Sequence, residues 1–152
     1  MTYRVGNFID GQLQHSRSER QSAIFNPACG KQQGSVGLSS AAECQEAIAC
    51  AERAFAGWSQ TPPLVRARVF FRFKALMEQH RDALAEVISR EHGKIFSDAQ
   101  GELTRGLEVV EFACGIPHLQ KGEHSLNVGR GVDCYSVMQP VGVCAGITPF
   151  NF

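Results

Sequence analysis

The sequence carries no excess charge of either sign: 15 Lys and Arg balance 15 Asp and Glu over 152 residues. Such a balance gives no long-range field to draw in DNA, RNA or an anionic membrane surface. No apolar run approaches the ~20 residues of a membrane-spanning helix. The start, Met1-Thr2-Tyr3-Arg4-Val5, lacks the basic and then apolar stretches of a secretory leader and the pattern of an organelle transit peptide, so a cytoplasmic location is expected. None of the six cysteines (Cys29, Cys44, Cys50, Cys114, Cys134, Cys144) belongs to a C-x-x-C pair. Their neighbours are mostly apolar, which predicts small buried thiols in a reducing cytosol rather than a disulfide framework. The five histidines show neither H-x-x-x-H nor H-x-x-E-H spacing, so no metal site is indicated. Gly142 and Gly146 do not form G-x-G-x-x-G with a following helix, so the standard dinucleotide fingerprint is missing. There is no internal repeat and no low-complexity segment.

What is present is a globular composition, 43% hydrophobic and 20% charged, which predicts a packed core. The first stretch reads as strand pairs. Tyr3 to Ile9 and Gln12 to His15 flank Asp10-Gly11, a type I′ hairpin signal. Ala23 to Phe25 and Gln32 to Leu38 flank a turn at Asn26-Pro27-Ala28-Cys29-Gly30. Ser40-Ala41-Ala42-Glu43 fits a capping box. The helix behind it carries Ala47, Ile48, Ala51, Ala54, Phe55 and Trp58 as one stripe, with Trp58 a core anchor. Thr61-Pro62-Pro63 opens a second helix whose face is Val65, Val69, Phe73 and Leu76. Its Arg66, Arg68, Arg72 and Lys74 read as a solvated face with acidic partners elsewhere in the fold. A third helix runs from about Arg81 to His92 and stops at Gly93, a left-handed cap. A fourth, capped by the Ser97-Asp98 region, continues to about Leu119 with a ridge of Leu103, Leu107, Val110 and Cys114. Ser125 to Val128 and Cys134 to Gln139 then read as a hairpin around Gly129-Arg130-Gly131.

The chain closes on Pro140-Val141-Gly142-Val143-Cys144-Ala145-Gly146-Ile147-Thr148-Pro149-Phe150-Asn151-Phe152. Val141 to Ile147 is short, apolar and bounded by prolines, the pattern of a strand buried on both faces. Short strands, four helices, a hairpin and a buried strand describe an α/β domain whose other strands come later, the front portion of a longer protein. Ligands in such sheets bind beyond the carboxyl ends of the strands, where Asn151 falls. An amide there is suited to stabilise a developing oxyanion, although Asn after Pro is also a common turn residue. Arg105 can grip a carboxylate with two parallel hydrogen bonds, or be an ordinary exposed helix residue. Glu91-His92-Gly93-Lys94 is explained by its place at a helix end, where cations meet the negative end of the dipole.

Pro140-Val141-Gly142-Val143 followed by Ile147-Thr148-Pro149-Phe150-Asn151-Phe152 resembles the aldehyde dehydrogenase superfamily. Phe8-Ile9-Asp10-Gly11, Asn26-Pro27-Ala28, Ala51-Glu52-Arg53-Ala54-Phe55 with Trp58, and Glu91-His92-Gly93-Lys94 match it in the same order, so the likeness spans nearly the whole chain. Three details resemble the CoA-acylating methylmalonate-semialdehyde dehydrogenases: Gly101-Glu102 with Arg105-Gly106 and Val110-Glu111-Phe112-Ala113; Tyr135-Ser136; and Phe150 where many relatives carry Trp. The resemblance implies the N-terminal part of a Rossmann-type NAD-binding domain over residues 1–122, an oligomerisation hairpin over 123–139, and the first buried strand of the NAD-binding sheet, truncated, over 140–152.

By the same resemblance, Asn151 is the oxyanion-hole amide. Ile147, Thr148 and Phe150 line the dinucleotide, and Arg105 recognises the substrate carboxylate. The cofactor implied is NAD, with coenzyme A as co-substrate. In such enzymes a cysteine thiolate attacks the aldehyde, hydride leaves to NAD, and CoA resolves the acyl-enzyme, here with decarboxylation. None of the six cysteines matches that nucleophile, which lies beyond Phe152 in the family. A small aldehyde is the expected substrate and a homo-oligomer the expected assembly, with no nucleic acid or membrane partner. A non-acylating enzyme, such as a succinate-semialdehyde dehydrogenase, or a catalytically inert product remain the alternatives.

Overall fold

The computed structural model describes residues 3–149. Five short strands come first, then five helices, then a hairpin and an extended segment. The strands are β1 (Tyr3–Val5), β2 (Asn7–Ile9), β3 (Gln12–Gln14), β4 (Gln21–Phe25) and β5 (Gln32–Gly37). The sequence predicts one strand over Tyr3 to Ile9, but the chain divides at Gly6 into two strands of different sheets. The backbone of Gly6 passes so close to Gln14 that a Cβ there would lie 2.8 Å from the Gln14 carbonyl oxygen. Before that break β1 runs parallel to β5, with Tyr3 opposite Gly34. After it β2 pairs antiparallel with β3. Asp10 (φ 53°) and Gly11 (φ 73°) both take positive φ, as the expected type I′ turn requires. β4 and β5 are antiparallel, so the three-stranded sheet has the order β1-β5-β4.

The capping box forms as the sequence predicts and starts α1 (Ala41–Trp58). The Glu43 carboxylate does more than cap. Its Oε2 accepts from Ser40 N (2.8 Å), Ser40 Oγ (3.1 Å) and Ser16 Oγ (3.1 Å), and its Oε1 accepts from Arg17 N (2.8 Å). One carboxylate therefore ties the segment after β3 to the start of α1. These donors, led by the Ser40 and Arg17 amides, hold the Glu43 pKa down to about 2, against an opposing cost of burial.

Helices α2 (Pro63–Gln79), α3 (Arg81–His92), α4 (Phe96–Cys114) and α5 (Ile116–Leu119) pack together. Their centre is built from small residues: Ala67, Ala85 and Ala99 are fully buried, with Leu103 and Leu107 nearly so. Alanine at these crossings lets helix axes approach closely. The face of α2 turned inward is therefore the one with Ala67, half-buried Phe70 and Met77, and not Val65, Val69, Phe73 and Leu76, which stay exposed. Lys74, expected on a solvated face, lies instead on the inward side, with the acidic partner expected elsewhere in the fold, Glu111 of α4, at 3.1 Å and Glu78 of its own helix at 2.5 Å. These carboxylates, Glu78 first, raise the Lys74 pKa.

Gly93 (φ 88°) ends α3 in the left-handed region as expected, and its N–H donates to the Ser89 carbonyl at 2.8 Å. The fourth helix departs from expectation at both ends. Its N-cap is Ile95 rather than the Ser97 region. It stops at Cys114, because Pro117 can neither donate to the ladder nor leave room for the carbonyl four residues back. The chain restarts as α5 with Pro117 in its first turn. The ridge is as the sequence predicts, with Leu103 and Leu107 buried and Val110 and Cys114 half-buried.

The late hairpin consists of β6 (His124–Gly129) and β7 (Val132–Tyr135). β7 stops short of the expected Gln139, and the Ser136 N–H closes the pair on the Glu123 carbonyl at 2.9 Å. Residues 141–147, expected as a buried strand, make no ladder among the described residues, and Val141 is 91% exposed. A strand buried on both faces needs a neighbour on each edge and a layer on each side. No element between residues 3 and 139 supplies them. The same lack of cover explains two further corrections. Four cysteines (Cys29, Cys44, Cys134, Cys144) are exposed and two (Cys50, Cys114) half-buried, rather than all buried. Trp58, expected in the core, is 49% exposed and Ile48 of the same stripe is exposed.

Candidate functional site

Two neighbourhoods hold the residues singled out by the sequence. The first is the extended segment that follows the hairpin. Met138 to Gly142 pass over the C-terminal end of α1 and the start of α2. Together with Phe55, Trp58, Ser59, Arg66 and Gln120 they line a cavity of about 280 Å³. Arg66 is fixed there from two sides: its Nε donates to the Thr61 carbonyl (3.1 Å) and its Nη2 to Gln120 Oε1 (2.7 Å). Val143 and Cys144 continue along Ala51, Ala54 and Phe55 of α1. The segment thus leans on the stripe that the sequence marks as apolar. Beyond it Ile147 and Thr148 are exposed, and a Cβ added to Gly146 would meet nothing within 4 Å. Phe150 and Asn151 lie outside the described residues.

The second neighbourhood surrounds Arg105 on α4. Gly101, Glu102 and Arg105 recur at helical spacing, so they share one face. With Lys94, Ser97 and Asp98 from the α3–α4 connection and the first turn of α4, they line a cavity of about 320 Å³. Lys94 follows the Gly93 cap, and that sharp turn aims its side chain at α4. Its Nζ lies 2.6 Å from Glu102 Oε2, with the two side chains only 13% and 26% exposed. The guanidinium of Arg105 folds back over Gly101, where an added Cβ would sit 3.8 Å from Nη1. Neither Ile147 nor Thr148 lines this cavity, so the two neighbourhoods are separate groupings in the described residues.

The sequence marks Arg105 and the closing segment but not the Lys94–Glu102 pair. The spacing of eight residues crosses a helix end and a cap, so no helical or strand period signals it. The joining of Ser16 and Arg17 to Glu43 is hidden in the same way, since the capping box accounts for Glu43 by local contacts alone.

The helices, the small sheets and the late hairpin are arranged as in solved aldehyde dehydrogenases. Residues 14–152 match the aldehyde dehydrogenase family, and the chain belongs to it. It is 50% identical over 146 residues to the malonate-semialdehyde dehydrogenase of Pseudomonas aeruginosa, a match covering 96% of this chain and 29% of that one. It is 44% identical over 152 residues to the mitochondrial acylating methylmalonate-semialdehyde dehydrogenase of Arabidopsis thaliana, covering all of this chain and 25% of that one. The fold superposes with a TM-score of 0.94 on a Sinorhizobium meliloti protein, assigned as a methylmalonate-semialdehyde dehydrogenase and crystallised with NAD. That protein is 52% identical, and the match covers 100% of this chain and 31% of its own. The chain spans less than a third of the length of each of these relatives.

Proposed function

We propose that this chain forms the N-terminal part of an NAD-dependent, CoA-acylating dehydrogenase of malonate or methylmalonate semialdehyde. The observation that carries this reading is the near-complete match of the chain, at 44–50% identity, to relatives that bear those names. Asn151 donates its side-chain amide to the oxyanion that develops on the aldehyde oxygen. Arg105 grips the substrate carboxylate through its planar fork of donors. Ile147, Thr148 and Phe150 line the dinucleotide. The exposed Ile147 and the open space at Gly146 are compatible with that role, because a flat ring can approach the backbone there. NAD supplies the hydride acceptor when bound, and coenzyme A is the acyl acceptor. The β6–β7 hairpin serves assembly into a homo-oligomer, and the enzyme works in the cytoplasm.

The nucleophilic thiol comes from outside residues 1–152, so the chain by itself has no dehydrogenase activity. The test is a complete enzyme, made by joining this chain to the remainder of the Pseudomonas aeruginosa relative. Its kcat/KM is expected to be highest for malonate or methylmalonate semialdehyde. A clear preference for succinate semialdehyde would overturn the substrate assignment.

A further inference from the structure

Resting on the proposed reading of Ile147 and Thr148 as residues that line the dinucleotide, we infer that Ser136 is a positioning residue for NAD binding. It clasps the base of the late hairpin and so sets where the closing segment departs. Arg66 of α2 holds Gln120, the C-cap of α5, by the 2.7 Å bond from Nη2. The chain leaves Gln120 for the hairpin and then returns to the same place: Met138 to Gly142 line the cavity that Arg66 and Gln120 share. Ser136 joins the two passes. Its Oγ accepts from Glu123 N at 2.8 Å, and its own N–H donates to the Glu123 carbonyl at 2.9 Å. The approach to Gly122 is closer still. A Cβ there would lie 2.0 Å from the Ser136 carbonyl oxygen, so only glycine admits the returning chain at this distance. The sequence marks Tyr135-Ser136, and the proposed function leaves that detail without a role.

Past this clasp, residues 137–149 make no backbone–backbone hydrogen bond among the described residues. Their path depends on where Ser136 releases them and on the side chains of Ala51, Ala54 and Phe55 beneath. A loosened clasp widens the range of paths open to Ile147 and Thr148. NAD then binds only the fraction of molecules whose segment is in place, and its Kd rises accordingly. Once bound, NAD holds the segment, so turnover at saturating NAD is preserved. A purely structural contact behaves differently: its loss lowers the melting temperature and leaves NAD affinity alone. In the joined enzyme, Ser136→Ala is expected to raise the calorimetric Kd for NAD about fivefold, the scale of one neutral hydrogen bond. The kcat at saturating NAD is expected to stay within about twofold. Ser136→Thr keeps the hydroxyl and is expected to bind NAD as the parent does. Gly122→Ala forces the Ser136 carbonyl away and is expected to raise the Kd further. Thermal melting confirms that each variant folds, and gel filtration is expected to give the oligomeric state of the parent.

Thr148→Asp serves as the control for the underlying reading, because a carboxylate at this exposed position repels the anionic dinucleotide. If Thr148→Asp weakens NAD binding and Ser136→Ala does not, the positioning role is overturned and the dinucleotide reading stands. A raised Kd that Ser136→Thr shares overturns the role of the hydroxyl. A raised Kd that comes with a changed oligomeric state likewise overturns the inference, since the effect then runs through assembly. If Thr148→Asp leaves NAD binding unchanged, the dinucleotide reading fails and the inference falls with it.

Discussion

At the scale of single residues, Glu43 shows how one carboxylate joins two parts of a chain. Four donors from Ser16, Arg17 and Ser40 converge on it. Its pKa falls from the ordinary 4.5 to about 2, so the ionised form is the one the fold stabilises. A lowered folded-state pKa contributes stability that is fully present above the unfolded value and lost as pH falls through the folded one. Glu43→Gln is therefore expected to unfold at lower urea concentration than the parent at pH 7, with the gap closing between pH 4.5 and 2. A gap that stayed constant across that range would show that the charge of Glu43 is not what holds Ser16 and Arg17. On the proposed function, the decisive residue for catalysis is Asn151. In the joined enzyme Asn151→Ala is expected to lower kcat by roughly 10²–10³-fold, as removal of one oxyanion donor does. Turnover close to the parent would remove Asn151 from the mechanism. The capping role of Glu43 was legible from four consecutive residues, because capping is local. Its bonds to Ser16 and Arg17 were not, because they span 27 and 26 residues with no repeating pattern.

At the scale of elements, the turns and caps were the most legible features. Asp10-Gly11 and Gly93 each call for positive φ, and few residue types accept it. Both adopt it. Gly93→Ala would place a Cβ 3.0 Å from Pro27 Cγ as well as hold alanine at φ 88°. A loss of about 1–2 kcal/mol is expected from the left-handed backbone alone. Chemical denaturation measures it, and an unchanged midpoint would show that the α3 end relaxes freely. The faces of helices were less legible. α2 carries apolar residues on more than one side, so its period admits two inward faces. The larger side chains favoured Val65, Val69, Phe73 and Leu76, but packing favoured Ala67, since a small residue permits closer helix contact. The end of α4 was misplaced for a related reason: a proline in a continuing apolar pattern can begin a new helix as readily as end an old one.

At the scale of the whole chain, apolar surface is left uncovered. Val65, Phe71, Phe73 and Leu76 of α2, Ile48 and Trp58 of α1, and Val141 and Ile147 are all exposed. Among the described residues the buried hydrophobic core is small, limited to three alanines and two leucines. The class of fold was legible because motif order survives in the sequence even where burial does not. Residues 141–147 are apolar in sequence, but both a strand and its burial depend on neighbours that residues 3–139 do not provide. Isolated 152-residue chain is therefore expected to bind a hydrophobic dye and to self-associate with rising concentration, since contiguous exposed apolar surface promotes both. It is also expected to bind NAD weakly or not at all in calorimetry. Tight NAD binding by a monodisperse monomer would show that the dinucleotide site is complete within these residues.

The most direct measurement of the central claim is the product formed by the joined enzyme from methylmalonate semialdehyde and NAD, with and without coenzyme A. Mass spectrometry is expected to detect an acyl-CoA thioester whose appearance matches the NADH formed, with turnover that depends on coenzyme A. NADH formed at the same rate without coenzyme A, with a free acid as the only product, would contradict the acylating assignment and place the chain with the non-acylating aldehyde dehydrogenases.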